Sequence, residues 1–204
     1  MTIPSRSKME ANVVVLGADN VGKSALIVRF LTRRFIGEYG DIESVYNHNV
    51  TVAGRKVAFN IWEHAHAQNR LNQNSAKEKQ IQWANGFVLV YSICDRASFN
   101  VVQQQIQFIK SMKDYPGTDK APIIIVGNKR DLCHQRTVSS EEGRLLALAT
   151  DCQFCEISAA ETYHGVLLVF HGLVDRIKES KILVRRTAGI KSIIRSLSSV
   201  FTRI

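Results

Sequence analysis

Asn12-Val-Val-Val-Leu16 runs directly into Gly17-Ala-Asp-Asn-Val-Gly-Lys-Ser24, a strand-to-loop junction from which the rest of the fold follows. The first five residues form a short apolar run rich in β-branched side chains, suited to a strand buried on both faces. The next eight fit the spacing GxxxxGK[ST]. From Ser24 to Thr32, Ala25, Leu26, Val28 and Phe30 supply the apolar positions of a helix. A chance Gly-Lys turn would not need a strand before it and a helix after it. Glycines let backbone N–H groups close around phosphate oxygens, and the helix N-terminus adds partial positive charge. Lys23 is placed to reach the β and γ phosphates, while the Ser24 hydroxyl takes a Mg²⁺ coordination position. Gly17, Asp19, Asn20, Val21, Gly22, Lys23, Ser24 and Ala25 are therefore the candidate phosphate-binding residues.

Beyond this junction the pattern alternates between strands and helices. Residues 33–47 read as loop, and Asn49–Val52 with Lys56–Trp62 reads as a hairpin around Ala53-Gly54-Arg55. Glu63 to Gln82 is polar and without clear periodicity. GFVLVYSI at Gly86–Ile93 and IIIV at Ile123–Val126 are two further buried strands. Phe99, Val102, Ile106 and Ile109 between them have helical spacing. Ser139-Ser140-Glu141-Glu142 is a capping box opening a helix to about Thr150. Gln153–Ile157 is a sixth strand. Val166, Val169, Phe170, Leu173, Val174 and Ile177 then mark the core stripe of a last helix. The expected fold is α/β, a six-stranded, mainly parallel sheet with helices on both faces and one antiparallel edge strand. Its binding crevice belongs at the carboxyl ends of the strands.

A phosphate loop alone does not choose between ATP and GTP. Gly127-Asn128-Lys129-Arg130-Asp131 follows the strand IIIV, and its carboxylate at Asp131 can accept from both guanine N1–H and N2–H₂. Adenine offers no such pair of donors, so a site built for them rejects it strongly. Ser158-Ala159-Ala160 follows the sixth strand and completes the set.

With these motifs in this order, the chain resembles the Ras-type small GTPases, a P-loop NTPase class, from about residue 11 to 179. KSALIVRFLTRRFIGEY, QWANGFVLVYSICDRASF and GNKRDL most resemble the Ras-related estrogen-regulated growth inhibitor and Ras-like family eleven groups. The resemblance implies a guanine-nucleotide protein holding GTP or GDP with Mg²⁺. It implies that Asn128 and Asp131 bind guanine and that the Lys129 stem packs on the base. Ala159 would offer its N–H to the guanine oxygen, between Ser158 and Ala160. Phe35 would stand edge-on to the base, its alternative being an ordinary buried aromatic after a helix.

Four departures from that family pattern bear on activity. Asp19 replaces a usual glycine, placing a carboxylate at the γ-phosphate edge in the way of an arginine finger. A residue pointing outward from the loop is the alternative. In the first switch, Glu38-Tyr39-Gly40-Asp41-Ile42-Glu43-Ser44 lacks the Thr that senses Mg²⁺ and γ-phosphate, and Ser44 is out of register. In the second, the usual Asp-Thr-Ala-Gly-Gln aligns with Glu63-His64-Ala65-His66-Ala67. Glu63 becomes a candidate Mg²⁺ ligand of weakened geometry, and His66 replaces the γ-phosphate-sensing Gly. Ala67 occupies the water-positioning Gln site, leaving no assigned catalytic residue. Phosphoryl transfer depends on positioning and charge stabilisation, so hydrolysis is expected to be very slow. The fourth departure is the long, Asn/Gln-rich run from Glu63 to Trp83, read as a mobile loop.

The chain has 204 residues, 27 Lys plus Arg against 18 Asp plus Glu, and a net charge of +9. Six of those basic groups and no acid lie in residues 181–204, so residues 1–180 carry only +3. This placement argues against a nucleic-acid-binding domain. The expected organisation is an N-terminal extension (1–10), a nucleotide-binding domain (11–180) and a basic tail (181–204). Ile190, Ile193, Ile194, Leu197, Val200, Phe201 and Ile204 share one helical face of that tail. An anionic membrane surface, a partner groove, folding back on the domain and disorder are all compatible with the pattern. Without a signal core, an N-terminal Gly or a C-terminal Cys, the chain is expected to lack secretion, myristoylation and prenylation. It is expected to be a cytoplasmic or nuclear monomer, at most peripheral at a membrane. Cys94, Cys133, Cys152 and Cys155 read as free thiols.

The functional alternatives are a slow GTPase in signal transduction, a pseudo-GTPase serving as an interaction module, and another P-loop enzyme such as a nucleotide kinase. The base motif and the lack of a lid-like Arg cluster disfavour the third.

Overall fold

Two parallel neighbours flank the strand that leads into the phosphate loop, and the rest of the sheet grows from it. The computed structural model describes residues 9–37, 44–52, 54–63, 73–113 and 121–201, with the side chains of 44, 73–76, 113 and 183–201 left aside. In chain order the elements are β1 (Met9–Gly17), α1 (Lys23–Thr32), β2 (Ser44–Val52), β3 (Arg55–Glu63), α2 (Gln73–Trp83) and β4 (Gly86–Ser92). There follow α3 (Arg96–Lys113), β5 (Ile123–Asn128), a 3₁₀ turn (Arg130–Gln135), α4 (Ser140–Ala149), β6 (Gln153–Glu156) and α5 (Tyr163–Phe201). The strand order is β2-β3-β1-β4-β5-β6, parallel throughout except for the β2–β3 pair at the edge. The six-stranded α/β sheet expected from the sequence is the observed one.

Each face of the sheet carries its own apolar layer. On one, Phe30 of α1, Phe59 of β3 and Phe170 of α5 meet as fully buried rings, with Phe30 stacked on Phe170 at 4.1 Å. All six residues of the α5 stripe from Val166 to Ile177 are buried there. On the other face, Phe99, Val102, Ile106 and Ile109 of α3 pack with Tyr91, Phe87 and Ile125. The helix α4 starts as its sequence specifies: Ser139 accepts from the Glu142 N–H, and the Glu142 carboxylate accepts from the Ser139 N–H.

Two expectations need correction. Residues 44–47 belong to β2 rather than to loop, because Ser44 to Asn47 pair with Glu63 to Asn60 in one antiparallel ladder. Polar Asn47 and His48 hid the strand, yet His48 faces inward and meets the Phe30 ring edge-on at 5.6 Å. Residues 73–83 form a helix rather than part of a mobile loop. Among its described side chains Gln80 and Ile81 are buried, and so few apolar positions leave too short a period to read in the sequence. No helix among the described residues is long and apolar enough to cross a membrane.

Candidate nucleotide site

The carboxyl ends of β1, β5 and β6 bring three loops together. In the first, Gly17 has φ 150° and Gly22 has φ 93°. A Cβ on Gly22 would stand 2.4 Å from Asn128 Nδ2, and one on Gly17 would stand 2.2 Å from the Val90 carbonyl oxygen. Both positions therefore exclude a side chain by contact as well as by backbone conformation. Lys23, only 8% exposed, donates from Nζ to the carbonyls of Ala18 at 2.8 Å and Gly17 at 3.3 Å. The ammonium thus lies inside the loop, where a phosphate oxygen can replace a carbonyl as its acceptor. Ala25 and Val21 are buried beneath the loop, while Asp19 and Asn20 are exposed on its rim.

Asn128 joins the loops. Its Nδ2 donates to Val21 O at 2.9 Å, and its Oδ1 accepts from the Ala159 N–H at 3.1 Å. With both ends of its amide held by protein, this buried residue positions the loops. The Ala159 N–H is likewise engaged here, so a contact to a base oxygen requires it to be shared. Lys129 sits at φ 66° and carries its Nζ across to Asn20 O at 2.6 Å, so its side chain spans from the loop after β5 to the phosphate loop. Asp131 is exposed in the first turn of the 3₁₀ segment. Ser158 Oγ accepts from the N–H groups of Ala160 and Glu161, which shapes the turn after β6. Arg29 of α1 donates to Glu161 O at 3.2 Å and fastens that turn to the first helix. Phe35 is 44% exposed beyond the end of α1.

Glu63 closes the end of β3 against the start of α1. Its carboxylate is 5% exposed and accepts from Ser24 Oγ at 2.5 Å and from Tyr46 Oη at 3.4 Å. A buried carboxylate is costly unless hydrogen bonds or a cation compensate it. Ser24 and Glu63 present adjacent hard oxygen donors, a set that fits Mg²⁺. Tyr46 is a site residue that a loop over 33–47 does not supply; its signal in the sequence is the alternation Tyr46, His48, Val50, Val52. His66 and Ala67 of the second switch, and residues 38–43 of the first, lie outside the described residues. Cys152 and Cys155 are free thiols, and burial pushes Cys155 up to about 12. Among the described residues no group of three His, Cys, Asp or Glu is arranged to hold a metal ion.

A glycine-lined loop between a parallel strand and a helix, tied to two further strand ends, defines a nucleotide-phosphate-binding protein of the P-loop class. Residues 12–179 match the Ras family, and the chain belongs to it. It is 39% identical over 205 residues to the Ras-related and estrogen-regulated growth inhibitor-like protein of Bos taurus, covering 94% of this chain and 96% of that one. It is 42% identical over 188 residues to Ras-like protein family member 11A of Rattus norvegicus, at 89% and 76% coverage. Over 199 residues it is 34% identical to the Ras-related and estrogen-regulated growth inhibitor of Homo sapiens, at 96% of each chain. It is thus a small GTPase by family, a class that binds GTP and GDP with Mg²⁺.

Proposed function

We propose that this protein is a guanine-nucleotide-binding signalling protein with intact phosphate and base loops and slow hydrolysis. The observation that carries the reading is the Asn128 link, which holds Val21 of the phosphate loop and Ala159 of the third loop in one frame. In this reading the backbone from Gly17 to Ala25 cradles the phosphates. Lys23 exchanges its loop carbonyls for phosphate oxygens. The Lys129 stem and Phe35 flank the base, Asp131 accepts from guanine N1–H and N2–H₂, and Ser158 to Ala160 border the base oxygen.

Ser24 and Glu63 are the residues that would hold Mg²⁺, which supplies charge neutralisation at the β and γ phosphates when bound. Coordination is weakened, because Glu63 is one methylene longer than Asp and its carboxylate is already committed to the Ser24 and Tyr46 hydroxyls. Ala67 has no group with which to orient a water, and the rim carboxylate of Asp19 repels charge at the γ-phosphate edge. These features support slow turnover. The second reading, a pseudo-GTPase used as an interaction module, is favoured by the same closed Ser24–Glu63–Tyr46 contact.

Titration of nucleotide-free protein with GDP, GTP, ADP and ATP tests the proposal. Guanine nucleotides are expected to bind far more tightly than adenine nucleotides. Two charge-assisted hydrogen bonds are on the order of 3 kcal/mol, so Asp131→Ala is expected to weaken GDP by over about a hundredfold. Equal affinity for ADP and GDP, or an Asp131→Ala variant that binds like wild type, would overturn the reading.

A further inference from the structure

We propose that Tyr46 is a positioning residue that lowers the affinity of the Ser24–Glu63 pair for a divalent cation, because its phenol competes for the Glu63 carboxylate. The proposal rests on the reading above that Ser24 and Glu63 hold Mg²⁺.

Strand register brings the phenol to the carboxylate. In the antiparallel β2–β3 ladder Tyr46 is paired with Ile61, and Ser44 with Glu63. Side chains alternate along a strand, so Tyr46 and Glu63 share one face as diagonal neighbours. Such neighbours stand roughly 7–8 Å apart, a gap that an aromatic side chain and a long carboxylate can close. Burial follows the same alternation: Tyr46, His48 and Val50 are half-buried, while Val45, Asn47 and Asn49 are exposed. The Tyr46 ring packs against the core layer that contains Phe30 and Phe59, which limits where its hydroxyl can stand.

The two oxygens of Glu63 are engaged from two different elements. Oε1 accepts from Ser24 Oγ, at the start of α1, at 2.5 Å, and Oε2 accepts from Tyr46 Oη, on β2, at 3.4 Å. At 5% exposure the carboxylate has given up most of its hydration, and these hydroxyls compensate part of its charge. The two contacts differ in what they mean for a cation. A hydroxyl has one proton and two lone pairs, so Ser24 can donate to Glu63 and still offer oxygen to an ion. Tyr46 only draws on the negative charge of Oε2 and tethers the carboxylate to the edge strand. A cation that uses this charge has to share it with the phenol or displace it.

Mn²⁺ is the probe, because it takes oxygen ligands as Mg²⁺ does and is paramagnetic. The full chain with bound GDP is titrated with Mn²⁺, and the free ion is read by electron paramagnetic resonance. Tyr46→Phe keeps the packed ring and removes the hydroxyl. It is expected to tighten Mn²⁺ by roughly three- to tenfold, the span of one hydrogen bond. Glu63→Gln, which removes the charge, is expected to weaken Mn²⁺ by more than about tenfold. In the Glu63→Gln background Tyr46→Phe is expected to change the affinity by less than about twofold, since the two residues act through one contact. Thermal melting verifies that each variant is folded, and Tyr46→Leu, with the same expected sign, stands in for a Phe variant that is not. Equal Mn²⁺ affinity of wild type and Glu63→Gln would remove Glu63 from the cation site and overturn the proposal together with the reading beneath it. A loss in Glu63→Gln, with the Tyr46 variant equal to wild type or weaker, would overturn the proposal alone. So would a Tyr46→Phe gain that persists unchanged in the Glu63→Gln background.

Discussion

Gly22 and Asn128 shape the site jointly. The amide of Asn128 reaches Val21 O only because no Cβ stands at position 22, where one would lie 2.4 Å from Nδ2. Gly22→Ala therefore meets two penalties, a positive φ of 93° and a contact with the residue that joins the loops. The first costs about 1–2 kcal/mol and the second forces Asn128 away from Val21. The expected outcome is a destabilisation of about 2 kcal/mol in urea denaturation, with at least a tenfold loss of GDP affinity. An Ala variant of wild-type stability and affinity would show that the Asn128 link does not set the site. At this scale the sequence was informative about which residues gather and less so about what each does. Asn128, expected at the base, also holds two loops, and the Ala159 N–H, expected at the guanine oxygen, donates to Asn128 Oδ1. Motif spacing carries the position of a residue; the partner of each polar atom depends on a fold that the spacing does not contain.

Among the elements, α5 and α4 give the sharpest expectations. Phe170 is fully buried and stacked 4.1 Å from Phe30, with Phe59 edge-on at 6.1 Å. Phe170→Ala is expected to cost about 3–5 kcal/mol, read as a drop in the denaturant midpoint with an unchanged slope. A loss below about 1 kcal/mol would mean that the α1–α5 layer closes over the gap. The start of α4 adds a pH dependence. Hydrogen bonding from Arg96 first, and then from the Ser139 N–H and hydroxyl, holds Glu142 down at about 2. A carboxyl lowered by folding contributes stability above its ordinary value near 4.5, and this is lost as the pH falls through about 2. The urea midpoint of the wild type is therefore expected to fall more steeply between about pH 5 and pH 2 than that of Glu142→Gln. Parallel profiles would contradict the assignment. The capping box was readable because its chemistry is local. By contrast β2 and α2 leave little trace in the sequence pattern. An edge strand paired on one side and a largely polar helix need few apolar residues, and a weak period is what such elements write into a sequence.

For the whole molecule, the charge is unevenly distributed: residues 1–180 carry +3, while residues 181–204 hold six basic groups and no acid. Family membership was legible because the phosphate and base motifs lie on three strand ends that the α/β topology must bring together. The catalytic competence of the switches was less so, since Glu63, His66 and Ala67 depart from the pattern that gives those positions their meaning. In the proposed reading the nucleotide frame is kept while the chemistry at the γ-phosphate is slowed. Single-turnover GTP hydrolysis, with and without Mg²⁺, separates this from an active switch. The expected result is a rate close to that of GTP in solution, little changed by Mg²⁺ and raised when His66→Gly and Ala67→Gln are introduced together. Rapid Mg²⁺-dependent hydrolysis by the unaltered protein would contradict it.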